Sequence, residues 1–405
     1  MRIETVDFFY AAMPEITLDG DGSQDALLVR VTAGGFVGWG ECEASPLVSI
    51  AAFVTPRSHG MCQPVSASVL GERIESPNDI ARIASQVERN SMDLLQAPHT
   101  FSGIEMALWD LLGKVQEEPV WKLLGYAHAY NKTPYASLLF GDTPAETLAQ
   151  GHDAVDKGFR AVKFGWGPFG QGSVEVDRDH LAAAREAIGP EADLLVDAGQ
   201  VWNEDVEAAA ARIQALELVG ATWLEEPFHA HAYAAHADLA SRTSTLQLAG
   251  GEGAHNVHMA RNLIDYGHVG FIQIDTGRIG GIGPAKRVAD YAVSAGVTYV
   301  NHTFTSHLAL SASLQPFAGL ANHRICEYPA QPKQLAQDIT THHFVPDANG
   351  QIIAPDAPGF GIGVDVEKVG KYLRELAIDL DGAPVFRSPS LPHAALERPW
   401  TTEEP

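Results

Sequence analysis

From about residue 130 onward, short apolar runs rich in β-branched residues alternate with longer alanine-rich segments, and this alternation constrains the fold more than any other feature of the chain. The runs are PYASLLF from residue 134, AVKFG from 161, LLVDAG from 194, WLEEP from 223, LQLAGGE from 246, FIQID from 271, TYVNH from 298 and RICEY from 324. Each has the length of a buried strand. The segments between them carry an apolar stripe at helical spacing, as in the stretch from Asp205 to Val219. Eight such units in succession predict an α/β protein built on a TIM barrel.

The flanks have a different texture. Residues 1–45 read as antiparallel strands with turns at DGDGSQ (19–24) and within AGGFVGWGE, and two helices follow, of which SGIEMALWDLLGKV is the clearer. This predicts an α+β domain over 1–129, a barrel over 130–329 and a third stretch over 330–405. Within that stretch DANGQIIAPDAPGFGIGVD reads as hairpin and turn material. The proline-rich tail from about Asp381 is expected to run extended over a surface or to be poorly ordered.

A formal charge of −24, from 27 Lys and Arg against 51 Asp and Glu, argues against a nucleic-acid or anionic-membrane surface. A small anionic substrate is compatible with it, needing only a local positive centre such as a metal. Cys42, Cys62 and Cys326 are too scattered for a disulfide framework or a thiolate zinc site. No window reaches the roughly 20 apolar residues of a membrane span, and a soluble, cytoplasmic protein is the expectation.

Catalytic groups of a barrel come from the C-terminal ends of different strands. Read in order, those ends supply Lys163, Asp197, Glu225, Glu252, Asp275, His302 and Glu327. One acid after a strand is usually a helix cap or a solvated charge. Five carboxylates converging with a single lysine would repel one another, and a divalent metal resolves the conflict. Asp197, Glu225 and Glu252 lie on consecutive strands and are hard oxygen donors suited to one Mg2+. Adjacent strand residues point opposite ways, so Glu225 is assigned to the metal and Glu226 to a supporting role. Asp275 beside His302 would fix the imidazole tautomer and raise its basicity, as a general base requires. His307 is read as packing or loop.

These residues, with GIEMALWDLLGK, GFRAVKFG, VDAGQVW, WLEEPF, LAGGEG, IQIDTGRIGGI, VNH and PDAPGFGIGVD in that order, resemble the enolase superfamily and its mandelate racemase-like subgroup. The resemblance covers residues 1 to about 375. It implies a modified (β/α)7β barrel, a capping domain built from both chain ends, and an active site between them. It also implies Mg2+ on Asp197, Glu225 and Glu252, proton abstraction α to a carboxylate by the Asp275–His302 dyad, and a hydrogen bond from Glu327 to the enolate oxygen. A homo-oligomer, dimer or octamer, is implied as well.

Two positions depart from the subgroup's pattern. Racemising members carry Lys-x-Lys on the second barrel strand, where this chain has Lys163-Phe164-Gly165. The third strand often reads Asp-Ala-Asn, where this chain has Asp197-Ala198-Gly199. With one well-supported base, the expected reaction is β-elimination of water from an acid sugar to a 2-keto-3-deoxy acid. Lys163 then serves as an electrostatic contact or a second acid, and Trp166 fills space left by Gly165. Substrate-selecting contacts are expected from residues 14–26 and from TPRSHGMCQP (55–64), including Arg57 and His59. The alternatives are an epimerase or racemase using Lys163 opposite His302, a cycloisomerase on a lactone or anhydro-sugar acid, and a non-catalytic metal-dependent sugar-acid binder.

Overall fold

The computed structural model describes residues 1–392 apart from Asp19 and Ala44. Three antiparallel strands open the chain, β1 (Ile3–Ala12), β2 (Asp25–Ala33) and β3 (Phe36–Cys42), in the order β1-β2-β3. Gly34 and Gly35, both at positive φ, make the tight turn between β2 and β3. Gly38 and Gly40 belong to β3 rather than to a turn. A Cβ at either would lie about 2 Å from a carbonyl of helix Ala97–Gln116 (1.9 Å from that of Ala107, 2.1 Å from that of Gly103), so the glycines let that helix lie directly on the sheet. The DGDGSQ segment forms no tight hairpin turn. It closes a longer loop with one 3-10 turn, Gly22–Gln24, capped by Asp21, whose carboxylate accepts from the Ser23 N–H at 2.9 Å. Among the described residues four α-helices lie between β3 and β4 where two were expected, because Pro46–Val54 precedes Pro77–Asn90 and Ala97–Gln116 and the short Val120–Leu123 follows them.

The barrel strands are β4 (Thr133–Leu139), β5 (Ala161–Gly165), β6 (Asp193–Asp197), β7 (Ala221–Glu225), β8 (Gln247–Gly250), β9 (Phe271–Asp275), β10 (Thr298–His302) and β11 (Ile325–Pro329). They pair in parallel in the order β10-β9-β8-β7-β6-β5-β4-β11. Helices follow every strand from β4 to β10, which gives the (β/α)7β form. The segment after β6 departs from the single helix expected. It is split into Val206–Ala210 and Ile213–Leu218, because the Arg212 side chain turns inward to bond Asp177 at 2.9 Å and the Gly172 carbonyl at 2.9 Å.

The chain then returns to its starting sheet. Leu335, Ile339, Phe360, Val369 and Leu391 share one core with β1, β2 and β3. Part of the expected tail is a hairpin, β12 (Ala377–Leu380) with β13 (Ala383–Arg387), turning at Asp381–Gly382 with both residues at positive φ. Beyond it, the carbonyls of Ser390 and Leu391 accept from the buried Arg30 guanidinium at 3.0 and 2.6 Å. The rest of the tail, from residue 393, lies outside the described residues. Among the described residues no helix is long and apolar enough to cross a membrane.

Candidate active site

Strand alternation builds the site from the bottom up. One residue from each barrel strand, Tyr135, Ala161, Leu195, Trp223, Ala249, Phe271, Val300 and Ile325, packs into an apolar layer inside the barrel. Two positions further along their strands, the side chains on the same face are Lys163, Asp197, Glu225, His302 and Glu327. The apolar layer is therefore the floor of the charged one. Glu252 lies beyond the end of β8. Gly251, at φ +124° with its missing Cβ 2.7 Å from the Gln273 carbonyl, makes the turn that brings Glu252 over the mouth.

Lys163 is buried among acids, with its Nζ 2.8 Å from Glu225 Oε1, 3.0 Å from Glu327 Oε1 and 3.5 Å from Asp197 Oδ2. Burial alone would pull its pKa down, but Glu225, Glu327 and Asp197 outweigh that and hold it well above the ordinary lysine value. His302 Nδ1 pairs with Asp275 Oδ2 at 2.7 Å, and its Nε2 faces Glu252 Oε2 at 3.0 Å. Against the desolvation cost, Glu252, Glu327 and Asp275 raise the imidazole to about 10. Asp275 is itself oriented by the Gly277 N–H at 2.5 Å, and Glu327 by the Thr303 N–H at 2.7 Å.

Arg278 is the charged residue that strand-end reading missed, because it lies in the loop after β9, three residues past Asp275. Its guanidinium donates to Glu252 at 3.0 Å and to Glu43 at 3.0 Å, so it ties the barrel to the end of β3. His302, and then this guanidinium, draw Glu252 down to about 2 in spite of burial.

Glu226 follows the end of β7. With φ +40° it leaves the strand conformation, and its carboxylate accepts from the Gln200 side-chain amide at 2.9 Å. Burial, and then Glu252, push it to about 8. His307 is packed against Tyr328, Phe344 and His343, and its Nδ1 accepts from the Phe344 N–H at 3.0 Å.

The mouth is a cavity of about 290 Å3 whose lining includes Lys163, Asp197, Glu252, Arg278, His302 and Glu327. Gly20, Asp21 and Gly22 reach it from the loop ahead of β2, within the 14–26 segment expected to touch substrate. Trp166 lines it too, but its indole covers Gly199, whose missing Cβ would sit 2.8 Å from the ring. Gly165 is instead filled by Asp197, 2.8 Å from its missing Cβ, so the indole replaces the absent side chain at 199, not at 165. Arg57 and His59 are not among the lining residues. Arg57 is exposed, and His59 pairs with Asp93 at 3.0 Å on an exposed loop.

The donor chemistry around this mouth suits a hard divalent cation. Asp197 and Glu225 are raised above the usual carboxylate range, first by burial and with neighbouring carboxylates adding to it, Glu225 to about 8. They are short of positive charge with Lys163 alone. Each acid is at present turned onto Lys163, Arg278 or His302, and among the described residues no three ligating side chains converge on one point.

A capped barrel with an acid–base site of this make-up defines an enzyme acting on a small molecule. The chain belongs to the mandelate racemase/muconate lactonizing enzyme group of the enolase superfamily: residues 10–125 match its N-terminal domain and residues 146–369 match the Enolase C-terminal domain-like family. It is 28% identical to D-galactarolactone cycloisomerase of Agrobacterium fabrum, over 84% of this chain and 88% of that one. It is 26% identical to D-xylonate dehydratase of Haloferax volcanii, over 88% and 87%. The crystal structure of a predicted mandelate racemase from Rhodobacter sphaeroides superposes with a TM-score of 0.93 at 64% identity, covering 96% of this chain and all of that one.

Proposed function

We propose that this enzyme removes the proton α to the carboxylate of an acid sugar and expels the 3-hydroxyl as water, leaving a 2-keto-3-deoxy acid. The observation that carries this reading is the asymmetry of the two nitrogen bases. His302 presents Nε2 to the cavity with Asp275 behind it at 2.7 Å, whereas Lys163 is held as an ammonium by Asp197, Glu225 and Glu327. Racemisation needs a proton carrier on both faces; His302 has Asp275 behind it to orient it as a base, whereas the second-lysine position opposite is Gly165.

In this reading Asp197, Glu225 and Glu252 would hold one Mg2+, and the chemistry it would supply is stabilisation of the negative charge on the substrate carboxylate. Lys163 supplies fixed positive charge beside that carboxylate. His302 takes the α-proton at Nε2. As the C–O bond at carbon 3 breaks, the same nitrogen returns the proton to the departing hydroxyl, and the resulting enol tautomerises to the ketone. Glu327 is assigned the hydrogen bond at the enolate oxygen, and Asp275 keeps Nε2 aimed at the substrate. The corresponding division of the chain is a cap over 1–129, a barrel over 130–329 and a returning segment over 330–405.

A cycloisomerase is the second reading, favoured by the Agrobacterium relative and by the fact that one base suffices for it. The test is incubation of the Mg2+-loaded enzyme with a panel of acid sugars, assayed for 2-keto-3-deoxy product, with His302→Asn in parallel. Product abolished in the variant is the expected result. Solvent deuterium entering the α-position with no loss of water would overturn dehydration in favour of isomerisation.

A further inference from the structure

We infer that the substrate carries one carboxylate only, and that the roof of the cavity turns away sugar acids with a second carboxylate at the far end. This deepens the proposed function and rests on its placing of the reacting carboxylate among Lys163, Glu252 and His302.

The argument is one of available charge. A second carboxylate needs a cation or several N–H donors at its end of the cavity, or it loses its hydration without return. The permanent cations among the lining residues are Lys163 and Arg278. Lys163 already faces Glu225, Glu327 and Asp197. Arg278 already faces Glu43 and Glu252 at 3.0 Å each, with Asp275 at 4.0 Å. In the proposed reading Lys163 is committed to the reacting carboxylate, and Arg278 keeps Glu43 even where Glu252 turns to the metal.

The rest of the lining adds no other. Leu138, Leu139, Trp166 and Phe304 are apolar, and the roof residues Gly20, Asp21 and Gly22 bring a further carboxylate. Lys333 lies behind that roof and outside the lining, its Nζ 3.4 Å from Asp21 Oδ2. The entire loop from Met13 to Gln24 contains Glu15, Asp19 and Asp21 and no Lys, Arg or His, so it cannot present a cation in any conformation. Arg57 and His59, which might have served, lie outside the lining. A terminal carboxylate would thus meet apolar surface and like charge, which is discrimination by repulsion. A terminal hydroxymethyl group would meet neither penalty.

The test uses matched pairs that share their hydroxyl configuration and differ only at the last carbon: D-gluconate with D-glucarate, D-galactonate with galactarate, D-mannonate with D-mannarate, and D-xylonate with xylarate. Each is titrated calorimetrically into the Mg2+-loaded wild-type protein and followed by proton NMR. For pairs that are consumed the ratio of kcat/KM is read, and for pairs that only bind, the ratio of Kd. The expected result is at least a tenfold preference for the monoacid in the best-responding pair. A diacid that equals or exceeds its partner, or a complete absence of binding by every monoacid, overturns the inference. A monoacid that binds tightly but is never dehydrated would sink the dehydration reading while leaving this one standing.

Discussion

The side-chain amide of Asn301 pairs with the backbone of Glu327 as a neighbouring strand would: its Oδ1 accepts from the Glu327 N–H at 2.9 Å, and its Nδ2 lies 3.4 Å from the Glu327 carbonyl. Among the described residues no hydrogen-bonded ladder joins β10 to β11, so this amide carries the closure of the barrel at the level of the site. It also sets Glu327 beside His302, the next residue along from Asn301. Asn301→Ala would leave a buried N–H and a carbonyl unpaired, at a cost of about 1–3 kcal/mol. The expected outcome is a lower denaturant midpoint together with a fall in kcat, and Asn301→Asp should recover less of the activity than of the stability, because it cannot donate to the carbonyl.

Lys163 and a bound metal would compensate the same acids, so removing one should raise dependence on the other. Lys163→Ala leaves Asp197, Glu225 and Glu327 buried without their counter-ion, and breaking such a pair typically costs about 3–5 kcal/mol. Added Mg2+ should then raise the thermal midpoint of Lys163→Ala by more than it raises that of the wild type. In Asp197→Asn, Glu225→Gln and Glu252→Gln the response to Mg2+ should shrink, read by calorimetry as weakened metal affinity.

His307 gives a pH dependence independent of the active-site carboxylates. Burial, and then His343, hold it at about 4, below the ordinary imidazole value near 6.5. A base with a depressed folded pKa contributes stability that is fully present above the unfolded value and is lost as pH falls toward the folded one. Between pH 7.5 and 5 this amounts to about 2 kcal/mol. Urea midpoints across that range should fall less steeply for His307→Gln, whose side chain can still accept from the Phe344 N–H but does not titrate.

Glu105 explains two motifs that the proposed chemistry leaves unused. Its carboxylate reaches from helix Ala97–Gln116 to the first turn of helix Ile282–Ala295, accepting from the Ile282 and Gly283 N–H groups at 2.7 and 2.8 Å and from Trp109 Nε1 at 2.8 Å. A Cβ at Gly281 would lie 2.2 Å from that carboxylate, and the residue sits at φ +107°. Glu105→Ala should cost about 2 kcal/mol, since the lost bonds are charge-assisted. Gly281→Ala should cost at least as much by displacing the same group, and denaturation followed by tryptophan fluorescence would report both.

The barrel was legible because its strands are buried on both faces and punctuated by ionisable residues. AVKFG, FIQID and TYVNH coincide with β5, β9 and β10. Lys163, Asp197, Glu225, Glu252, Asp275, His302 and Glu327 could be grouped because strand ends converge without any knowledge of long-range contacts. What stayed hidden depends on partners distant in sequence. The value of Arg278 comes from Glu43, 235 residues away. The glycines of β3 could be read as turns because the helix that needs them is outside any local window. The break after Ala210 follows from Asp177, and Trp166 could be placed over Gly199 only once two strand ends stood side by side.

The return of the chain to its first sheet has a consequence for synthesis. Tyr10 and Ala12 bond to Arg374 and Tyr372, and Arg30 holds Leu391. Strands made first must therefore wait for partners made more than 300 residues later, roughly 20–70 s at ordinary ribosomal rates of about 5–20 residues per second. During that interval the barrel can fold as a unit, while the apolar face of β1 and β2 has no finished cover. The cap, first to emerge, is thus the last to be completed, and a chaperone acting on this nascent chain would be needed chiefly by its first forty residues.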